Sequence, residues 1–252
     1  MLPNTLLPLL LAVFVIAVAN CYSPRIIGGS NTTVDMFPYQ VSIHEKGEFK
    51  CGGSMISKNW VLTAAHCVFR SRAADLNIRA HSTYSDKGGT LIDKVKQIKI
   101  HQDYSPSTLE YDAALIELGS PIPYPSPVVL ADTTTVVATG SNAVVTGWGA
   151  TSNPGPKSDV LQTLAMPIVD QAKCKDIFRG VHSVTNVMLC AGSLSGGEDV
   201  CRGDSGGPLV LNGAQVGIVS WGLECAKPGY PGVYTRVSAI RPWIKSELHE
   251  GK

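Results

Sequence analysis

Apolar positions come in short bursts along this chain. β-branched and aromatic runs at residues 37–43, 49–63, 76–81 and 90–101 are interrupted by glycine and by Lys58-Asn59, which reads as a strand meander. The same pattern resumes at 142–148, 160–168, 187–191, 209–221 and 232–237, and Asn212-Gly213 predicts a tight turn between two strands. Two stretches predict helix. One begins at Asp170. The other follows Ser238, where Ile240, Trp243, Ile244 and Leu248 share a face and Pro242 falls in the first turn. Between the two series, Pro121, Pro123, Pro125 and Pro127 predict an extended connector poor in strands. It divides the folded part into residues 26–130 and 131 onward. Many short strands in two comparable halves predict an all-β protein, either two packed barrels or one long sandwich.

The chain has 252 residues, enough for a well-buried core. Residues 6–18 form an apolar run too short to span a bilayer and without the polar face a buried helix needs. The run ends in Ala17-Val18-Ala19, which predicts a secretory leader over residues 1–19, although its first residues carry no Lys or Arg. A formal net charge of +1, with no basic or acidic block, argues against nucleic acid or an anionic membrane surface as partner. Seven cysteines in a secreted chain imply disulfides with one cysteine over. Cys21, just past the leader, is the natural odd one, and no C-x-x-C spacing favours zinc. Asn31-Thr32-Thr33 is a glycosylation sequon that gains meaning from the leader.

The chemistry centres on Gly203-Asp204-Ser205-Gly206-Gly207-Pro208. A serine between glycines presents its hydroxyl on a tight, unobstructed turn and leaves backbone N–H groups free for a developing oxyanion. A nucleophile elbow of the α/β-hydrolase kind needs a helix next, then an acid and a histidine. Here strand, turn and strand follow, no aspartate lies beyond Ser205, and the one later histidine is His249. Upstream, Ala64-Ala65-His66-Cys67 closes the meander, and Asp112 opens an apolar run where a carboxylate needs a hydrogen-bonding partner. The order histidine, aspartate, serine is that of the chymotrypsin-type triad.

Through IIGG, TAAHC, DAAL, GWG, CRGDSGGP, SWG and PGVYTRV, the sequence resembles the trypsin-like serine proteases over residues 26–245. The resemblance implies two packed six-stranded antiparallel β-barrels with a short C-terminal helix. It makes Ser205 the nucleophile, His66 the base and Asp112 the residue that holds the imidazole, with the N–H groups of Gly203 and Ser205 as oxyanion hole. It pairs Cys51 with Cys67, Cys174 with Cys190 and Cys201 with Cys225. Asp199 becomes the pocket floor, Gly222 and Gly232 its open walls, and Ser220-Trp221-Gly222 the segment that binds substrate backbone. An Arg or Lys at P1, the residue before the scissile bond, is the expected fit. Cleavage after Arg25 would remove a propeptide, residues 20–25, and free an Ile26 ammonium to pair with Asp204, leaving a peptidase domain over 26–252.

Departures from the family pattern are Val200, where serine or alanine is common, Arg202 at the pocket mouth and Glu224 on the rim. Val200 lacks a hydroxyl for a lysine ammonium, so Arg is expected over Lys. Ser82, Thr83, Tyr84 and Ser85 stand in a loop without the paired glutamates that bind calcium in vertebrate relatives, so no metal is expected, and no cofactor. The expected protein is a secreted, monomeric endopeptidase with protein substrates and protein inhibitors as partners. A protease-fold binding protein without catalysis is the rival reading. It is disfavoured because His66, Asp112, Ser205, Gly203 and Asp199 are all present.

Overall fold

A computed structural model describes residues 26–248. The expected leader, propeptide, Cys21 and Arg25 lie outside the described residues. In the first half the strands are β1 (Ser30–Asn31), β2 (Gln40–Glu45), β3 (Glu48–Ser57), β4 (Trp60–Thr63), β5 (Leu76–Ala80), β6 (Thr90–Ile92), β7 (Val95–Ile100) and β8 (Ala114–Leu118). They continue as β9 (Val129–Leu130), β10 (Asn142–Gly147), β11 (Gln162–Val169), β12 (Met188–Ala191), β13 (Pro208–Leu211), β14 (Ala214–Trp221) and β15 (Gly232–Arg236). The α-helices are α1 (Ala65–Val68), α2 (Gln171–Ile177) and α3 (Val237–Glu247).

Two antiparallel barrels result. In the second, the order β11-β10-β13-β14-β15-β12 closes on itself through a β11–β12 ladder, giving the six strands expected. The first curls in the order β6-β5-β2-β3-β4-β8-β7, with β5 and β7 in contact at its closure. It counts seven because the expected run over 90–101 breaks at Asp93-Lys94 into β6 and β7. Asn212 (φ 49°) and Gly213 (φ 80°) supply the two left-handed residues that a two-residue hairpin turn between β13 and β14 requires.

The barrels exchange chain at their margins. β1 pairs with β11, so the first strand lies in the second sheet. β9, inside the proline-rich connector, pairs in parallel with β14, a strand that proline content alone did not predict. Between the barrels the seam is partly polar: Thr146 Oγ1 donates to Gln40 Oε1 at 2.6 Å and Ser54 Oγ to Gln215 Oε1 at 2.7 Å, all four residues being buried. Burying polar groups of this kind is costly unless they are paired, and these two bonds help fix how the barrels meet.

Asp170 caps α2 as expected, its Oδ1 accepting from Lys173 N at 2.9 Å. The final helix differs from expectation. It starts at Val237 directly after β15, so Pro242 is its sixth residue and lies past the first turn, where a missing N–H forgoes one intrahelical bond. The helix holds because Val237, Ile240, Trp243 and Ile244 are buried, and because Lys99 on β7 pairs with Glu247 at 2.9 Å.

Candidate active site

β4 and β8 pair with Thr63 opposite Ala114, which brings the residues just beyond one and just before the other together. Asp112, with no exposed surface, accepts from His66 N through Oδ1 at 2.8 Å. Its Oδ2 accepts from His66 Nδ1 at 2.7 Å and from Ser220 Oγ at 2.6 Å. Thr235 Oγ1 donates to the Asp112 carbonyl at 2.9 Å, so the second barrel holds both ends of this residue. With Nδ1 spent as a donor, the neutral imidazole carries its free lone pair on Nε2. Nε2 lies 3.8 Å from Cys67 Sγ and makes no hydrogen bond to Ser205 Oγ among the described residues, a contact that in empty sites commonly tightens with substrate.

Ser205 sits in the turn before β13. Gly203 (φ 102°) and Gly206 (φ 80°) hold conformations that suit glycine, and a side chain at Gly206 would collide with Thr63 Oγ1 and the Gly52 carbonyl. Gly52 N donates to the Ser205 carbonyl at 2.9 Å. The serine turn of the second barrel therefore docks onto β3 and β4 of the first, three residues short of His66. Neither the Gly203 nor the Ser205 N–H has a hydrogen-bond partner among the described residues, so both are free to receive an oxyanion.

Beside Ser205 opens a cavity of about 250 Å³ lined by Asp199, Val200, Ser220, Trp221, Gly222 and Gly232, with Arg202, Glu224 and Asn153 around its mouth. A side chain at Gly232 would stand 3.1 Å from Asp199 Oδ1, whereas one at Gly222 would project into open space. Asp199 is buried and accepts from Val200 N at 2.8 Å and Ala226 N at 3.0 Å. Burial outweighs these two bonds and pushes its carboxyl up to about 6. Phe178 and His182 brace Trp221 edge-on, with ring centroids 4.9 and 4.6 Å away.

Asp204 has no exposed surface and accepts from Cys201 N at 2.9 Å and Gly149 N at 2.8 Å. Burial raises its carboxyl to about 7, with the negative Asp199 adding to the rise. Ile26 is fully buried, and the carbonyl of Ile27 accepts from Asp199 N at 3.0 Å, so the segment that begins the described chain is seated on the pocket floor.

The trypsin family profile matches residues 26–244. The chain belongs to the trypsin family. It is 43% identical to Trypsin 5G1 of Aedes aegypti over 88% of this chain and 85% of that one. It is 39% identical to the Vitellin-degrading protease of Bombyx mori (89% and 86% covered) and 43% identical to a Trypsin of Sarcophaga bullata (90% of each). Membership in the trypsin family makes the protein a trypsin-like serine endopeptidase, a hydrolase of protein substrates.

The three disulfides join the six cysteines as the resemblance implies. Cys51, His66 and Cys67 bring ligand-type atoms within 4.8 Å of one another, but both sulfurs are spent on a disulfide and are poor metal ligands in that state. No described helix is long and apolar enough to cross a membrane. Asn31 is exposed on β1, its Oδ1 accepting from Gln162 Nε2 at 2.8 Å.

Sequence reasoning left several residues of the site unremarked. Ser220 stood out as a backbone-binding residue, but its hydroxyl also clamps Asp112. The GWG motif carries the Gly149 N–H that serves Asp204, and side chains at Gly147 or Gly149 would collide with that carboxylate. Tyr234, inside PGVYTRV, buries a hydroxyl with no partner beside Gly232 and Asp199. Replacing Ser220 by Ala removes one of three bonds to the buried Asp112 carboxylate. The expected outcome is a loss of about 1.5–3 kcal/mol in unfolding free energy, read by chemical denaturation, together with a lower kcat whose pH profile shifts with the less firmly held imidazole.

Proposed function

We propose that this endopeptidase cleaves after Arg, and less well after Lys, and that it is made as a secreted zymogen. The observation that carries the specificity is Asp199, a buried carboxylate at the foot of the cavity with two N–H donors and no cation among the described residues. A charge held out of water at such a cost is stabilised by an incoming counter-charge, and only a long cationic P1 side chain reaches it. In the reaction His66 Nε2 takes the proton of Ser205 as the hydroxyl attacks the scissile carbonyl. The N–H groups of Gly203 and Ser205 stabilise the tetrahedral oxyanion, and Asp112 stabilises the imidazolium that forms. His66 then protonates the leaving amine, and water hydrolyses the acyl-enzyme by the reverse path.

Asp204 supports the zymogen reading. A carboxyl raised to about 7 favours the protonated form in the folded chain, so its contribution to stability is fully present near pH 4 and fades as pH climbs to about 7. An Ile26 ammonium, freed by cleavage after Arg25, reverses that penalty by giving the carboxylate a partner. The leader over 1–19, the propeptide over 20–25 and three disulfides together support secretion. Asn31 leaves its Nδ2 available for a glycan. The peptidase domain over 26–252 works as a monomer, and protein inhibitors that offer a rigid basic loop are its natural antagonists.

Ser205→Ala tests the mechanism: peptide hydrolysis by folded, contaminant-free protein should drop roughly 10⁶-fold in kcat while a basic inhibitor still binds. Near-normal turnover would refute it. Arg25→Gln should leave the protein inactive unless another bond is cut, because the buried pair loses one partner, at about 3–5 kcal/mol. In the cleaved form the ammonium's pKa rises above its ordinary value of about 8. The linked stability is then present below that value and fades as pH passes the raised one, which activity and circular dichroism recorded against pH will follow. Val200 tests the Arg preference. It adds no hydroxyl to the cavity lining beside Asp199, so a lysine ammonium with three donors has one partner fewer to bond there. A poorly satisfied donor costs about 1–3 kcal/mol, so Lys peptides should fall about fivefold or more below Arg peptides in kcat/KM. Val200→Ser should recover lysine cleavage selectively, and an Arg/Lys ratio it leaves unchanged would show that this position does not set the preference.

A further inference from the structure

The residues around Gly203 carry charge that the proposed reaction does not use. Arg202, immediately before Gly203, is exposed at the cavity mouth, and its guanidinium has no hydrogen bond or ion pair among the described residues. Its main chain is fixed, the carbonyl accepting from Ala150 N at 2.8 Å. Lys157 lies on the other flank of the same glycine: a side chain at Gly203 would stand 3.3 Å from Lys157 Cδ and Cε. The Lys157 ammonium is held over the Phe49 ring, 4.8 Å from its centroid, and donates to the Phe49 carbonyl at 3.0 Å. Neither cation is neutralised by a close carboxylate among the described residues. Glu48 acts on Lys157 through space without a salt bridge, and Glu224, the acid on the cavity rim, is already paired with Lys227 at 2.8 Å.

Position relative to the scissile bond gives these charges a use. The acyl half of a substrate enters the cavity toward Asp199. In the proposed reaction His66 Nε2 protonates the leaving amine, so the leaving half would pass Nε2, which lies 3.8 Å from Cys67 Sγ of the Cys51–Cys67 disulfide; Phe49, whose carbonyl accepts from Lys157, stands two residues before Cys51. We infer that Arg202 and Lys157 form a cationic clamp that selects substrates with an acidic side chain within a few residues on the carboxyl side of the cut. The preferred sequence is thus a basic residue before the bond and an Asp or Glu shortly after it. Two residues that repel substrate cations at the mouth also sharpen the choice of where a lysine-rich or arginine-rich chain is cut, since the basic side chain is welcome in the cavity alone. This inference rests on the Arg-directed reading above and adds the leaving side to it.

Exposed charge pairs are individually weak, so the expected discrimination is about two- to fivefold per cation and strongly screened by salt. Matched peptides share one Arg-containing acyl half and carry Glu, Gln or Lys at the first, second or third position after the bond. Their kcat/KM values are measured at about 0.01 M and about 1 M salt, where screening lengths are about 30 and about 3 Å. An Arg anilide, which has no residue beyond the bond, calibrates the amount of working enzyme in each preparation. At low salt Glu should exceed Lys by about three- to tenfold at the best position, and the ratio should shrink toward one at high salt. Arg202→Gln and Lys157→Gln should each lower the ratio, and the double variant should bring it close to one. Cleavage after Arg with a ratio of one or less in the wild type, or a ratio indifferent to both substitutions, overturns the inference alone. Absence of cleavage after Arg in every peptide overturns the reading it rests on as well.

Discussion

Burial of carboxylates is the constraint around which the loops of the site are arranged. Asp112, Asp199 and Asp204 are each almost or wholly withdrawn from water, where an unpaired charge is far more expensive than anything the core can offset locally. They are held by different sets of donors. Asp112 receives three, two of them from His66, through its main chain and its ring, and one from Ser220. Asp199 and Asp204 receive two backbone N–H groups apiece and no cation among the described residues, and both are driven upward toward neutrality. They differ in what can reach them. Asp199 faces a cavity that admits a side chain from outside, whereas Asp204 lies beneath Gly147 and Gly149, where only the protein's own chain can come.

Much of this was legible in the sequence because the constraints are local. The glycines around Ser205, the Asn-Gly turn and the short β-branched runs between glycines are written in consecutive residues. The disulfide partners and the two-barrel architecture came through resemblance; counting cysteines left about fifteen pairings open. What stayed hidden depends on contacts across long separations. Ser220 gives no sign that its hydroxyl meets Asp112, 108 positions earlier, nor Tyr234 that its hydroxyl ends beside Asp199. Pro242 misled for a related reason. A proline near a helix start reads as a first-turn residue, but burial of Val237 extended the helix backward past it.

The seam between the barrels sets how the residues of the site sit relative to one another. His66 and Asp112 come from the ends of β4 and the approach to β8, while Ser205 and Ser220 come from the other barrel. Their relative placement rests on the Gly52–Ser205 bond, on the absence of a side chain at Gly206 and on the paired polar groups Gln40, Thr146, Ser54 and Gln215. A small shift of one barrel against the other would therefore separate Ser205 from His66 without unfolding either half. Misplacement on that scale is enough to lose most of the gain from proximity.

The crossing of β1 into the second sheet also imposes an order in time. Asn31 lies 131 positions from Gln162, its partner, so its place does not exist until the β10–β11 hairpin has been made. Contacts of such long range put a fold at the slow end of the rate spectrum and postpone whatever depends on them. During synthesis the opening segment of the folded domain leaves the ribosome early and must wait, unseated, while most of the chain behind it takes shape. The opening residues of the described domain cannot take their place in the second sheet before β11 has been made, and the bond that joins Asp199 N to the Ile27 carbonyl spans 172 positions.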